Sequence, residues 1–204
     1  MILTRSKSFE DVLSNLDRKK KIFIIGCNVC AAKMKTGGEP EVLEMEKLLT
    51  KAGYTVVGWA LPTAACSVRS FDSLVEKNER ILQADHILVM ACGSGVSLIS
   101  LISNVSVSGS NDTLSLGGRI GNDSAPHLCI LCGSCNLGDF NGICPTAQCP
   151  KSQMNGPCGG AKGGKCEVLR EMDCVWSLIE KKMDSLKMFP ALLEIKPPKN
   201  HSRL

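Results

Sequence analysis

The chain has 204 residues, 44% of them hydrophobic, with a formal charge of +4 and a pI near 8.4, which bounds it to one ordinary core and a small second module. Aromatics make up only 4% and the lysines are scattered rather than gathered into a stripe, so nothing marks a nucleic-acid-binding surface. There is no run of about 18 apolar residues to span a bilayer, and the first 22 residues lack the apolar stretch of a secretory signal; the expectation is a cytoplasmic protein with reduced thiols.

Taken in chain order, Ser8 with Glu10 and Asp11 behind it predicts a capped opening helix over 8–17. Residues 20–26 are a short apolar strand ending in Gly26. A Gly37-Gly38 turn follows, and Glu39-Pro40-Glu41 opens a helix in which Val42, Leu43, Met45, Leu48 and Leu49 recur at helical spacing. Gly53 stops it, and residues 54–60 form a second strand. A helix over about 70–83 leads to a third strand at 86–91, after which Gly93-Ser94-Gly95 turns the chain into a helix from Val96 to about Ile102.

In such βαβ units right-handed crossovers keep the strands parallel, so their carboxyl ends share one edge. Cys27 and Cys30 follow the first strand, Cys66 lies in the loop after the second, and Cys92 directly follows the third. Open α/β sheets build ligand sites at that edge, and the four thiols are expected to converge as one site for [4Fe-4S] or zinc. Two alternatives stand beside it. Buried cysteine often serves as a small hydrophobe, and Cys27-x2-Cys30 alone also suits a thioredoxin-like redox pair, which would leave Cys66 and Cys92 unexplained.

Residues 103–126 are rich in Ser, Gly and Asn and read as a linker with at most one short strand. Eight of the twelve cysteines then fall between Cys129 and Cys174. In a cytoplasmic chain such density points to metal rather than disulfides. The run Cys129-x2-Cys132-x2-Cys135 followed by Cys144-Pro145 resembles the bacterial ferredoxin ligand string, with a longer last gap, so Cys144 belongs either to this cluster or to a neighbouring one. Cys149, Cys158, Cys166 and Cys174 remain as a second set among glycines that let backbone amides approach sulfur. Two four-cysteine zinc sites are the competing reading, although zinc ribbons usually present cysteines in pairs.

The other features are read as structural. His86 lies at a strand start, His127 precedes Cys129 by two residues and reads as a turn residue, and His201 belongs to a polar tail. Gly93-Ser94-Gly95 lacks the third glycine of a dinucleotide fingerprint and reads as a tight turn displaying Cys92. A helix from Cys174 to about Met188 places Val175, Leu178, Ile179, Met183 and Leu186 on one face. The proline-interrupted tail at 190–200 reads equally as a partner-docking arm or a frayed terminus.

The string at 149–168, with Asn155-Gly156-Pro157-Cys158-Gly159-Gly160 at its centre, and Asp173-Cys174-Val175-Trp176 after it, closely resembles the methylenetetrahydrofolate reductase C-terminal domain family. Ile24-Ile25-Gly26-Cys27-Asn28-Val29-Cys30-Ala31 and Met90-Ala91-Cys92-Gly93-Ser94-Gly95-Val96 extend the likeness to the stand-alone accessory-subunit form of acetogenic bacteria. The resemblance implies iron-sulfur clusters, with zinc also reported in the family. It also implies a flavin-dependent catalytic partner, a TIM barrel that reduces methylenetetrahydrofolate, because the barrel machinery is absent from this chain.

The expected architecture is α/β: a parallel βαβ sheet domain over 1–110, a cysteine-rich, metal-stapled irregular module over 111–174, and a helix with a proline-containing tail over 175–204. The expected cofactors are two or three [4Fe-4S] clusters, zinc replacing one in the alternative, held by all twelve cysteines. No catalytic base is evident, so the leading reading is an electron relay between a donor such as ferredoxin or a larger iron-sulfur complex and the flavin of the partner. A zinc-stabilised scaffold is the runner-up, and a self-sufficient corrinoid or flavin protein comes last.

Overall fold

The structure is a computed structural model that describes residues 1–118, 126–187 and 194–200. Residues 119–125 of the expected linker, Met188 at the expected helix end, residues 190–193 of the tail and His201 lie outside the described residues. The chain divides into two compact units, Met1–Leu114 and Ser115–Leu204. Among the described residues no helix is long and apolar enough to cross a membrane.

The first unit contains β1 (Ile2–Ser6), α1 (Phe9–Leu13), β2 (Lys21–Ile25), α2 (Cys30–Lys33), α3 (Glu39–Lys51), β3 (Thr55–Ala60), α4 (Val68–Lys77), β4 (His86–Val89), α5 (Gly93–Ile102) and β5 (Ser106–Gly109). It is a mixed α/β fold around a four-stranded sheet of order β3-β2-β4-β5. Every pair is parallel, with Ile24 opposite Trp59 and Leu88, and Leu88 opposite Ser108. The parallel sheet expected from the apolar runs is therefore present, with one more strand than expected.

Side chains alternate across a strand, and the two faces of this sheet carry separate cores. Phe23, Ile25, Ile87 and Val89 pack with Leu74 and Ile99 of α4 and α5 on one face. Ile22, Ile24 and Leu88 pack with Val12, Val42 and Leu49 of α1 and α3 on the other. Burial on both faces explains why β2 reads as an unbroken apolar run rather than an alternating one.

Several expected boundaries shift for identifiable reasons. Ser8 does cap α1, its hydroxyl accepting from the Asp11 N–H at 3.1 Å, but the helix ends at Leu13 rather than residue 17. The expected helix over 70–83 is two pieces, α4 and a 3₁₀ turn at Glu79–Gln83, because Asn78 leaves helical geometry and caps the turn, accepting from the Arg80 N–H. Gly93-Ser94-Gly95 is not a turn before a helix but the first turn of α5 itself, three residues earlier than expected. The supposed linker contributes β5 and the whole of β6 (Asn111–Gly117), two strands where at most one was expected, and β1 neighbours β6 with Arg5 and Lys7 on Asp112.

His86 is structural, as read. Its ring nitrogens lie 2.8 Å from the Ser106 and Ser108 hydroxyls, stapling β4 to β5. Burial, then the charge of Lys20, holds its pKa below the ordinary 6.5. The unfolded chain therefore takes up a proton as pH falls through 6.5 while the folded chain resists, so stability is full above that pH and declines below it. A thermal melt should fall between pH 7.5 and 5.5 in the native chain, and His86→Gln should remove that part of the decline; equal pH slopes in the two would show that His86 is not its source.

In the second unit β6 pairs antiparallel with β7 (His127–Cys129), and a 3₁₀ turn at Leu137–Phe140, α6 (Pro145–Gln148) and α7 (Val175–Ser185) follow. Its core is small: Phe140, Cys174, Val175, Trp176, Ile179 and Met183. Phe140 meets Trp176 edge to face at 5.4 Å, and the indole N–H donates to the Gln153 carbonyl at 3.1 Å. Of the face expected on α7, Val175, Ile179 and Met183 are buried, but Leu178 and Leu186 are exposed. A spacing of four keeps the first three in one stripe, and Trp176 rather than Leu178 completes it.

Candidate metal centre

The carboxyl ends of β2, β3 and β4 are tied together by backbone hydrogen bonds: Gly26 N–H to Ala60 O at 2.9 Å, Asn28 N–H to Pro62 O at 3.2 Å, and Met90 N–H to Ile25 O at 2.7 Å. These bonds draw the three post-strand loops to one edge, and each loop carries cysteine. Cys27 follows β2, and its N–H is held by Gly37 O at 2.8 Å. Cys30 opens α2, with the Ile2 N–H aimed at its sulfur at 3.5 Å. Cys66 precedes Ser67, the N-cap of α4, and Cys92 is itself the N-cap residue of α5.

Close approach of the second and third loops depends on glycine. A Cβ on Gly95 would lie 3.0 Å from the Ala65 Cβ and 3.1 Å from the Ala91 Cβ, so α5 can press the residues preceding Cys66 and Cys92 together only without a side chain there. Cys27 and Cys92 are buried, Cys30 is half-buried and Cys66 is exposed. Burial raises the Cys66 thiol pKa, and the neighbouring sulfurs of Cys92, Cys27 and Cys30 raise it further. The sulfurs of Cys27, Cys30 and Cys92 thus each lie within electrostatic reach of Cys66, which sits on the open side.

In the second unit the cysteines fall into two neighbourhoods. Cys129 ends β7, and the Leu131 N–H donates to its sulfur at 3.3 Å; Leu131 adopts φ +57°, an unusual conformation for leucine that turns its amide back toward that sulfur. Cys144 is the N-cap residue of α6, which packs on β7, and Cys149 is its C-cap residue, so this helix carries one cysteine at each end. Burial pushes the Cys132 thiol up, but hydrogen bonding at Ser134 and Lys199 and the Lys199 charge bring it below its ordinary value.

Cys149, Cys158, Cys166 and Cys174 line one small, partly open cavity together with Ala161, Met172 and Trp176, with Cys158 on its exposed side. A short antiparallel ladder shapes it, Lys165 bridging to Lys162 and Asp173, with the Cys166 N–H on Met172 O at 2.9 Å and the Cys174 N–H on Gly164 O at 2.7 Å. Glu167 also enters the wall: its carboxylate accepts from the Cys158 thiol at 3.4 Å and pairs with Lys151. Glu167 escaped the sequence reading because nothing local marks it.

His127 is not a turn residue; it begins β7, and its Nδ1 lies 2.7 Å from the Ser115 hydroxyl. The part of the tail at 194–200 is not a frayed end but is hydrogen-bonded to its own unit. Asn155 and Lys196 exchange two hydrogen bonds, at 3.1 and 2.8 Å, and the Lys199 ammonium donates to the Ser134 carbonyl and, at 2.9 Å, to Asn136 Oδ1.

None of the twelve cysteines is in a disulfide. Among the described residues no group of three or more His, Cys, Asp or Glu side chains is already arranged to hold an ion. The donor chemistry nevertheless fits thiolate-bound metal, because each neighbourhood presents cysteine sulfur and none presents a histidine–carboxylate set. Residues 108–202 match the family described as methylene-tetrahydrofolate reductase C terminal. No curated protein and no solved structure matches the chain.

Proposed function

We propose, from the premise that residues 108–202 form a methylene-tetrahydrofolate reductase C-terminal domain, that this chain is an iron-sulfur accessory subunit of a methylenetetrahydrofolate reductase. It relays electrons to or from a flavin on a TIM-barrel catalytic subunit, with ferredoxin or a larger iron-sulfur complex at the other end. The observation that carries this reading is that Cys149, Cys158, Cys166 and Cys174 line one small cavity inside the matched segment. Convergence of Cys27, Cys30, Cys66 and Cys92 at the sheet edge supports it from the other unit.

Bound clusters would supply reversible one-electron storage. The protein's own contribution is placement. Cys27 and Cys92 hold their sulfurs out of water, the Ile2 and Leu131 amides donate to the sulfurs of Cys30 and Cys129, and Cys66 leaves one side open. Hydrogen bonds to sulfur and solvent exposure are the levers that set a cluster's potential. The small core of the second unit favours a second reading, a zinc-stapled scaffold, since a structural metal replaces missing apolar burial.

Anaerobic purification followed by iron, sulfide and zinc analysis separates the two. The expected result is brown protein with two or three [4Fe-4S] clusters per chain that bleaches with dithionite. Colourless protein containing zinc alone would establish the scaffold instead.

A further inference from the structure

We propose that residues 194–200 are a strap across the two cysteine neighbourhoods of the second unit, and that the strap exists to hold Lys199 as a fixed positive charge over the loop carrying Cys132 and Cys135. The role assigned to Lys199 rests on the electron-transfer reading above; the strap itself does not.

Three anchors define the strap. At Asn155, between Cys149 and Cys158, the side-chain amide donates to the Lys196 carbonyl and accepts from the Lys196 N–H, so one side chain satisfies both backbone groups of a tail residue. The Lys196 side chain is only 13% exposed and pairs with Asp139 at 3.4 Å and Glu194 at 3.2 Å. Three residues on, the Lys199 ammonium is held by the Ser134 carbonyl and by Asn136 Oδ1. Ser134 is also the residue whose carbonyl faces the Cys132 sulfur at 3.5 Å.

The chain between the anchors is stiff. Pro197 and Pro198 fix two successive φ angles and bring no N–H that needs a partner. Fixing Lys196 at Asn155 therefore fixes where the Lys199 stem begins. A lysine free to roam would be screened by water and salt; one bonded to two oxygens beside the Cys132 loop is screened less. Net charge near a cluster is among the determinants of its potential. A cation beside Cys132 favours the reduced, more negative state, so Lys199 raises the potential of a centre held by Cys129, Cys132, Cys135 and Cys144. Lys199 is a positioning residue and touches no reacting atom of a substrate. Asn155 acts at one remove, through the strap.

The test uses the full chain, purified anaerobically, as native protein, Lys199→Gln, Lys199→Arg and Asn155→Ala. Iron and sulfide are measured first, then each midpoint potential by a dye-mediated titration followed by electron paramagnetic resonance. With iron content unchanged, one centre of Lys199→Gln should shift to lower potential, with about a tenfold smaller reduced-to-oxidised ratio at fixed potential, or about 59 mV for one electron. Lys199→Arg, which keeps the charge, should stay close to the native potential. Asn155→Ala should reproduce its direction, and hydrogen exchange at the Lys196 amide should pass from protected in the native chain to fast.

Equal potentials in native and Lys199→Gln protein at full iron load overturn the role of Lys199. Fast exchange of the Lys196 amide in the native chain overturns the strap. Native protein with zinc and no iron overturns the electron-transfer reading and the Lys199 role with it, while the Lys196 amide still decides the strap.

Discussion

Removing the proposed metal from the chain with a chelator, under reducing and anaerobic conditions, is expected to unfold the second unit while the parallel sheet of the first stays folded. The difference lies in what each unit buries. The sheet has two apolar layers built on Ile22, Phe23, Ile24, Ile25, Ile87, Leu88 and Val89. The second unit has one six-residue cluster, and between Cys129 and Cys174 its described regular elements are no longer than four residues. Structural zinc contributes roughly 10–16 kcal/mol to small domains of this kind, more than the few kcal/mol a minimal core supplies. Trp176 reports the transition, because it is buried against Phe140 and its indole is bonded to Gln153. Red-shifted emission from a Trp59→Phe variant on chelation, with protected amides persisting in β2 and β4, is the expected outcome. Trp176 remaining buried in metal-free protein would show that the apolar cluster suffices alone.

Gly37→Ala should be among the most damaging single substitutions in the first unit. Its new Cβ would sit 1.8 Å from the Met90 carbonyl oxygen, a backbone atom that cannot swing away. Met90 ends the central part of the sheet, its N–H bonded to Ile25 O, and the Gly37 carbonyl accepts from the Cys27 N–H. Relief of the clash must therefore displace either the β4 end or the Cys27 loop. The expected cost is about 3 kcal/mol, the upper range for overpacking, together with loss of the metal proposed for the first unit and none of that proposed for the second. Gly53→Ala is the contrast. At φ +85° it meets only conformational strain, with nothing within 4 Å of the added methyl, and should cost about 1 kcal/mol. Melting temperature and metal content per chain measure both; similar losses for the two variants would show that the crowding at Met90 is relieved elsewhere.

The strands β2, β3 and β4 were legible because each is an apolar run ended by glycine or a loop, and parallel connection then followed from handedness alone. The convergence of Cys27, Cys30, Cys66 and Cys92 on one edge came with that topology. β5 was not legible, since Ser106, Ser108 and Gly109 have poor strand character. It is a strand because the open edge of β4 needs hydrogen-bond partners and because His86 recruits Ser106 and Ser108. In the second unit the cysteine spacing separated the Cys129 run from the later four. The contacts of Lys199 with Ser134 and Asn136 span 65 and 63 residues, and no local pattern encodes such a pair. Asn155 was visible only as part of a glycine-rich signature, which gave no hint that its amide grips a tail residue 41 positions later.

One buried polar cluster in the first unit bears on the order of events during synthesis. The Thr4 and Thr36 hydroxyls meet at 2.6 Å, and the Asn111 amide donates to Thr36 O at 3.0 Å and Ala91 O at 3.3 Å. Asn111 is 75 residues beyond Thr36, and such distant closures come late in folding. A chain emerging from the ribosome has therefore released Cys27, Cys30, Cys66 and Cys92 before Asn111 arrives to lock the backbone between them. Until that moment the edge that gathers these thiols is unlatched, and a prosthetic centre of the kind proposed above would have its widest entrance.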